Sequence, residues 1–379
     1  MIYLDNAATT LQKPQAVARA MYESLGKCGS SGRGGHQASM NAARVILECR
    51  DEAARLFEVD NPERIIFTLN ATHALNIAIK SVLKDGGTAV VSGLEHNAVM
   101  RPLNRLAGRG VRTRIAFTPL FEPEMAVHSF EQFTIGDAAC IICTHVSNVF
   151  GYILPIERID EICAARNIPL IIDAAQSAGC LPLNVSKLKS RAYVCMPGHK
   201  GLLGPQGTGI LICPENEVPS TIIEGGTGSG SAEACMPDFL PDRLEPGTHN
   251  TPGIAGLLEG VRFIRERGTA SVSEHCKQLT QMMAEELSGD RKIRIFSSPH
   301  MYCQSGVLSV TVRDKDPELI AARLAEYGIA TRAGLHCAPM AHRTAGTFPT
   351  GTVRFSTSVF TTRGEVRAAV RALKKIAKL

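Results

Sequence analysis

Short apolar runs alternate with longer amphipathic stretches along the chain between residues 64 and 213. Helical spacing relates Leu75, Ile79 and Val82, and a second amphipathic stretch covers residues 156–167. Fully apolar strands that alternate with helices are typical of a mainly parallel sheet covered by helices on both faces. The sequence therefore predicts an α/β fold. The predicted strands are residues 64–68, 88–92, 111–116, 139–144, 169–173, 192–195 and 208–213.

The texture of the sequence changes after Cys213. Two glycine-marked loops, at residues 224–230 and 245–253, precede a long predicted helix over 254–268 that continues over 271–287. A smaller α+β pattern closes the chain, with strands predicted near residues 306–312, 329–332 and 352–356. A length of 379 residues suits two domains. We expect a large domain of residues 15–254 and a small domain of residues 1–14 and 255–379, with the N-terminal segment packing across the join.

Composition places the chain among ordinary folded proteins. Apolar residues make up 44% and charged residues 20%, which argues against a disordered chain, a collagen or a coiled coil. The net charge of +5 is spread along the chain, with one basic concentration at residues 367–378. Apolar residues recur there at helical spacing, and Thr362 with Glu365 matches a capping box. We interpret this segment as the solvated face of a C-terminal helix and expect no nucleic-acid partner; nucleic-acid binding is the less favoured alternative.

Twelve cysteines raise the question of a disulfide framework. The opening MIYLDNAATT contains no secretory signal, and no apolar run reaches the ~18–20 residues of a membrane span. We therefore expect a cytoplasmic location, free thiols and no membrane partner. Cys140 and Cys143 lie three apart in a predicted strand, where their side chains face opposite sides, so we expect no metal site.

Polar residues follow the predicted strands directly. In a mainly parallel sheet the ligand lies beyond the carboxyl ends of the strands, so these residues are expected to meet. One of these segments opens a helix, and free N–H groups at a helix start suit a phosphate. The segments are Asn70-Ala71-Thr72, Glu95-His96-Asn97, His145-Val146-Ser147-Asn148, Asp173-Ala174-Ala175-Gln176 and Gly198-His199-Lys200.

Asp173 and Lys200 indicate pyridoxal phosphate, which needs a lysine to hold it covalently and a carboxylate to keep its ring nitrogen protonated. Each residue also has an ordinary structural interpretation, since an aspartate caps helices and an isolated lysine is usually solvated. The whole set favours the functional interpretation because every member follows a strand. The remaining roles fall to His96 over the ring, Gln176 and Asn148 at the ring hydroxyl, and Thr72 and His199 at the phosphate.

At this point the chain resembles the cysteine desulfurases of the class V aminotransferase family, which have the fold type I of pyridoxal-phosphate enzymes. The matching strings run almost end to end in the family's order: YLDNAATT, EHN, THVSNVFG, DAAQSAG, GHKGLLGPQGTG, EPGTHNTPG and RAGLHCAP. The resemblance implies a large domain with a mainly parallel sheet and a smaller α+β C-terminal domain. It also implies a homodimer whose active sites lie at the subunit interface.

The resemblance assigns the same cofactor roles to the residues named above. It further implies that Thr248 reaches the partner subunit's phosphate, with Arg33 and His36 near the interface. Cys337, in RAGLHCAP, would be the catalytic nucleophile, and Arg354, in TVRFS, would bind the substrate α-carboxylate, a task that suits a bidentate donor. His96 would donate a proton during product release, and Asn148 would also contact the substrate.

The RAGLHCAP pattern is similar to the group II branch, with departures. Ala71 stands where relatives commonly have a hydroxyl residue, which leaves its backbone N–H for the phosphate. Pro197 replaces a serine, and Leu335 replaces a histidine.

The implied activity converts L-cysteine to L-alanine and leaves a persulfide on Cys337 for a sulfur-acceptor protein, in iron–sulfur cluster assembly or a related pathway. Three alternatives stay open: a selenocysteine lyase acting on L-selenocysteine, a transaminase or C–S β-lyase that does not use Cys337, and a non-enzymatic scaffold.

Overall fold

The computed structural model describes residues 1–32 and 34–378. The helices are α1 Gln15–Lys27, α2 Gln37–Phe57, α3 Ala71–Val82, α4 Asn97–Ala107, α5 Pro123–Phe133, α6 Ile156–Arg166, α7 Thr251–Arg267, α8 Thr269–Leu287, α9 Pro317–Glu326, α10 Pro339–Ala345 and α11 Arg363–Lys378. The strands are β1 Ile2–Tyr3, β2 Ile65–Thr68, β3 Gly87–Ser92, β4 Val111–Ala116, β5 Ala138–Thr144, β6 Leu170–Asp173, β7 Ala192–Pro197, β8 Gly209–Ile212, β9 Ile293–Phe296, β10 Val307–Val312, β11 Ile329–Ala330, β12 Arg332–Gly334 and β13 Thr352–Ser356.

The predicted α/β sheet is confirmed. Seven strands pair in the order β2-β8-β7-β6-β5-β3-β4, and all pairings are parallel except those of β8 with β2 and β7. Each face of the sheet is covered by a hydrophobic core: one contains Cys143 and the other contains Cys140. The two side chains thus face opposite sides of β5, as predicted from their spacing.

A smaller antiparallel sheet follows in the order β12-β13-β10-β9, and α8, α9 and α11 share its apolar core. Strand β9 was not predicted. It is a four-residue edge strand with Arg294 exposed, so it lacks the continuous apolar run that marks a buried strand. The strand predicted near residues 329–332 is in fact two strands, since β11 pairs with β1 and β12 pairs with β13.

The first ten residues contact both sheets. The Leu4 carbonyl accepts a hydrogen bond from the Ser356 N–H at 2.7 Å, beside the small sheet. The Thr10 N–H donates to the His199 carbonyl at 3.1 Å, in the turn after β7. The segment therefore ties the small sheet to the turn that carries Lys200.

The long helix predicted over residues 254–268 and continuing over 271–287 is two separate helices, α7 and α8. Gly268 separates them with a φ of +81°, a conformation that glycine adopts at little cost. Ile254, Leu257 and Val261 of α7 belong to a core of the large sheet. The domain boundary predicted near residue 255 falls in the first turn of this helix, and the division into domains stays a prediction.

The C-terminal basic segment is the predicted amphipathic helix. The Thr362 N–H donates to Glu365 Oε2 at 2.8 Å and the Glu365 N–H donates to Thr362 Oγ1 at 3.3 Å, which is the predicted capping box. Val366, Val370 and Leu373 are buried. Among the described residues, no helix has both the length and the apolar character needed to cross a membrane.

Candidate functional site

Eight of the predicted site residues line one cavity of about 220 Å³ at the carboxyl ends of the parallel strands. The residues that follow these strands thus lie close together, as expected from the sequence. Their places follow from the sheet order, because β5, β6 and β7 are neighbours and present their C-terminal loops side by side. The eight residues are Ala71, Thr72, His96, Asn148, Asp173, Gln176, His199 and Lys200.

Lys200 and Asp173 both line this cavity. Asp173 ends β6 and is 3% exposed, and its Oδ1 accepts a hydrogen bond from the Ala175 N–H at 2.9 Å. Burial raises the pKa of Asp173, although Ala175 and Lys200 act in the opposite direction. Burial lowers the pKa of Lys200 to about 8, although the Asp173 carboxylate raises it. Lys200 therefore has a substantial neutral, nucleophilic fraction near pH 8.

The reactivity of Lys200 tests this electrostatic description directly. We expect its labelling by trace acetic anhydride to rise with pH around a midpoint of about 8, rather than the ordinary 10.5, because only the neutral amine reacts. Asp173→Asn removes the carboxylate that raises the pKa, so the midpoint should fall further. Peptide mass spectrometry after labelling of the cofactor-free protein measures both values. A midpoint near 10.5 would show that burial does not lower the pKa of Lys200 and would contradict this description.

His96 is the N-cap of α4. Its Nδ1 accepts a hydrogen bond from the Ala98 N–H at 3.0 Å, which leaves the proton of the neutral ring on Nε2. Burial, with the charge of Lys200 in second place, lowers the pKa of His96 to about 4. His96 is thus a neutral imidazole with a fixed orientation and one N–H to donate.

The start of α3 provides backbone donors to the same cavity. Asn70 caps the helix by accepting from the His73 N–H, so the N–H groups of Ala71 and Thr72 precede the first intrahelical bonds. His199 borders the same space, and its Nδ1 lies 3.0 Å from Thr9 Oγ1. The backbone N–H groups of Ala71 and Thr72 and the His199 ring are therefore available here to bind an anion.

Gln176 and Asn148 line the cavity and are also held by protein contacts. Gln176 Nε2 donates to the Ala7 carbonyl at 2.9 Å. Asn148 Nδ2 donates to the His336 carbonyl at 2.8 Å. Each terminal amide carries a second N–H and a carbonyl oxygen that can face a ligand.

Cys337 is exposed and lies in a tight turn directly after β12. The carbonyl of Cys337 accepts a hydrogen bond at 2.8 Å from the N–H of Asn97, the neighbour of His96. Together with the bond from Asn148 to His336, this contact attaches the turn to the residues of the cavity. Cys235 is also exposed but lies in the loop between β8 and α7.

Arg354 is a buried cation, 2% exposed, in β13. Its Nη2 donates to Asp5 Oδ1 at 2.9 Å, and its Nη1 donates to the Asn148 carbonyl at 2.9 Å. Nε is buried with no partner among the described residues. Arg354 is therefore held beside Asn148, and Nε–H together with the second N–H of Nη1 and of Nη2 has no protein acceptor among the described residues.

Thr248 lies apart from the eight cavity residues, in the loop that precedes α7. It lines an open crevice with residues 30–32 and 226–229. His36 is exposed and caps α2 by accepting from the Ser39 N–H. Arg33 lies outside the described residues.

Two contacts that organise the site were not predicted from the sequence. Asp5 pairs with Arg354, and Asp5 lies in the motif YLDNAATT, which is the one sequence signal for this contact. Glu245, 7% exposed, pairs with Arg50 at 2.8 Å and lies 2.7 Å from His249 Nε2, which fixes the loop carrying Thr248. No local pattern relates Arg50 to Glu245, since the two are 195 positions apart.

Glu95, which precedes His96, is fully buried. Its Oε1 accepts hydrogen bonds from Ser92 Oγ and from the Thr144 N–H. Burial raises the pKa of Glu95 to about 8. This carboxyl group thereby links the ends of β3 and β5 behind the cavity.

Comparison with known proteins identifies the family to which this chain belongs. The Aminotransferase class-V family matches residues 2–368. The chain is 30% identical to a probable cysteine desulfurase of Methanothermobacter thermautotrophicus, with 99% of this chain and 94% of the relative covered. It is also 30% identical to a probable cysteine desulfurase of Pyrococcus abyssi, with 100% and 94% covered.

Solved structures of cysteine desulfurases have the same fold as this chain. The apo structure of a cysteine desulfurase from Thermococcus onnurineus NA1 superposes with a TM-score of 0.91 at 28% identity, over 100% of this chain and 94% of that chain. A cysteine desulfurase of Escherichia coli, at 24% identity and a TM-score of 0.88, shares the fold. The predicted fold class and family are confirmed: the chain belongs to the class-V aminotransferase family.

Proposed function

We propose that this protein is a pyridoxal-phosphate-dependent cysteine desulfurase that converts L-cysteine to L-alanine and retains the sulfur as a persulfide on Cys337. One observation carries the proposal: an exposed cysteine is hydrogen-bonded through its turn to residues that line or adjoin a cavity containing the half-buried Lys200 and the buried Asp173. The named activities of the relatives support it.

The cavity residues fit the cofactor in charge and in hydrogen bonding. Asp173 is a buried carboxylate to which, among the described residues, only the Ala175 N–H donates, which leaves acceptor capacity for a protonated ring nitrogen. The backbone N–H groups of Ala71 and Thr72, with His199, would hold the phosphate. Lys200 would hold the cofactor covalently, His96 would lie over its ring, and Gln176 and Asn148 would bind its ring oxygen.

Each side chain has a task that follows from its protonation and position. Bound pyridoxal phosphate supplies an electron sink that makes the carbon–sulfur bond of the substrate cleavable. Lys200, which is neutral at a moderately alkaline pH, would accept the α-proton of the substrate. His96 holds its proton on Nε2 and donates it during product release.

Cys337 carries the sulfur-transfer step. Its thiolate attacks the substrate sulfur, so a sulfur–sulfur bond forms as the carbon–sulfur bond breaks, and the electron pair of that bond passes to carbon. Protonation of the carbon yields alanine. The sulfur is left as a persulfide, which an acceptor protein or a thiol reductant removes. Iron–sulfur cluster assembly is one pathway that takes sulfur from such an acceptor.

The products of the purified enzyme test this proposal. With L-cysteine and a thiol reductant, a cysteine desulfurase releases alanine and sulfide in equal amounts. A C–S β-lyase would release pyruvate and ammonia with the sulfide, and a transaminase would need a keto-acid acceptor. Pyruvate in place of alanine would contradict the proposal. L-Selenocysteine, assayed in parallel, measures the preference between the two substrates.

Arg354 would bind the substrate carboxylate through guanidinium N–H groups that have no protein acceptor among the described residues. Arg354→Lys removes the planar donor set, and a charge-assisted hydrogen bond is worth about 1.5–3 kcal/mol, so we expect KM for L-cysteine to rise roughly 10- to 150-fold. Steady-state kinetics with a thermal-melting check for the lost Asp5 contact measures this. Arg371→Lys, on the exposed face of α11, is the matched control. An unchanged KM would remove Arg354 from the substrate site.

A homodimer is part of the proposal. Large apolar side chains are exposed on the first two helices, including Tyr22 at 79% and Leu25 at 71% on α1, and Leu47 at 58% on α2. Exposed apolar groups of this size favour burial against a partner. Thr248, in the crevice beside these helices, would then reach the phosphate of the other subunit.

A further inference from the structure

The turn that carries Cys337 has an unusual backbone. The Ala338 N–H donates to the Leu335 carbonyl at 2.8 Å and closes the turn. The two residues between them, His336 and Cys337, have φ values of +48° and +56°. Left-handed backbone at two consecutive positions normally requires glycine or asparagine. Neither residue is of that kind, so contacts outside the turn must hold it.

The His336 ring lies 3.2 Å from the Thr352 carbonyl, and two further hydrogen bonds reach the backbone of the turn, one at each left-handed residue. Asn148 Nδ2 donates to the His336 carbonyl at 2.8 Å. The backbone N–H of Asn97 donates to the Cys337 carbonyl at 2.8 Å. Asn97 is the first residue of α4, and an N–H at that position has no acceptor within its own helix. The hydrogen bond from Asn97 to Cys337 therefore forms without breaking any hydrogen bond within the helix.

We propose that the N–H of Asn97 and the side-chain amide of Asn148 form a two-point latch that positions the Cys337 thiol relative to the cavity. Asn148 lines the cavity, and Asn97 follows His96, which also lines it. The nucleophile is thus placed by the same segments that would hold the cofactor. Asn97 and Asn148 act as positioning residues for Cys337. This purpose rests on the proposed function, whereas the latch itself can be measured without any activity.

The position of Asn97 allows one hydrogen bond to be removed selectively. Asn97→Pro deletes the N–H, and proline is well tolerated at the first position of a helix. The preceding residue, His96, has φ −73° and ψ +156°, which is the conformation favoured before proline. Asn97→Ala is the matched control, because it removes the side chain and keeps the N–H. Asn148→Asp removes the other donor with nearly unchanged shape.

Hydrogen exchange of the cofactor-free protein reads out the latch. With peptides covering residues 335–338, we expect exchange to accelerate at least tenfold in Asn97→Pro and in Asn148→Asp, because the Ala338 N–H is protected only while the turn is closed. Asn97→Ala should exchange like the wild type, and β12 serves as the internal reference in every sample. Unchanged exchange in a folded Asn97→Pro, verified by circular dichroism, would overturn the latch.

Kinetics then tests whether the latch serves the reaction. With cofactor absorbance and KM for L-cysteine retained, Asn97→Pro should lower kcat roughly 10- to 100-fold, since small displacements of a reacting group have effects of that size. Asn97→Ala should keep the wild-type kcat. Faster exchange with an unchanged kcat would overturn the positioning role. If the wild type itself does not desulfurate cysteine, the proposed function fails while the exchange result still decides the latch.

Discussion

Cys337→Ala is expected to abolish sulfur transfer from L-cysteine while the protein remains folded and retains its cofactor. The substitution removes the nucleophile and leaves every residue lining the cavity in place. We expect the release of alanine and sulfide to fall on the order of 10³-fold or more, because no cysteine is among the residues that line the cavity to replace the nucleophile. Product assays together with the visible absorbance of the bound cofactor measure the two effects separately.

Cys235→Ala is the matched control for this prediction. Cys235 is the other exposed cysteine, and it lies in a loop away from the cavity. It should react with thiol reagents as Cys337 does, yet its loss should leave turnover within about twofold, as for most surface substitutions. Equal activity of Cys337→Ala and Cys235→Ala would favour the β-lyase or transaminase alternative. Selective loss of the L-cysteine reaction, with the L-selenocysteine reaction retained, would favour a selenocysteine lyase.

Lys200→Ala is expected to have the second large effect. It removes both the covalent attachment of the cofactor and the base that moves the α-proton, so turnover should fall at least on the order of 10⁴-fold. Absorbance and product release check these losses. Lys13→Ala is the matched control, since burial also lowers the pKa of Lys13 to about 8 but this residue is not among those lining the cavity. A Lys200→Ala variant with substantial turnover would exclude the proposed role of Lys200.

The parts of the site that could be predicted are those that follow strand ends. Asp173, Lys200 and His96 meet because the loops after parallel strands share one edge of the sheet. Apolar periodicity marks those strands, and the polar residues follow them directly in the sequence. This relation between local pattern and spatial position needs no knowledge of long-range contacts.

The parts that were missed depend on contacts between distant segments. Arg354 and Asp5 are 349 positions apart, and their pairing is fixed by the packing of the N-terminal segment against β13. The left-handed backbone of Cys337 could not be predicted either, because nothing in RAGLHCAP indicates a positive φ at a cysteine.

The most direct test of the account is the fate of the substrate sulfur in a single turnover. Cofactor-loaded protein is mixed with a limiting amount of L-cysteine in the absence of reductant, and the peptide containing Cys337 is analysed by mass spectrometry beside the alanine formed. The account predicts one additional sulfur atom on Cys337 for each alanine produced, and none on Cys235. Alanine formed without sulfur on Cys337 would contradict it.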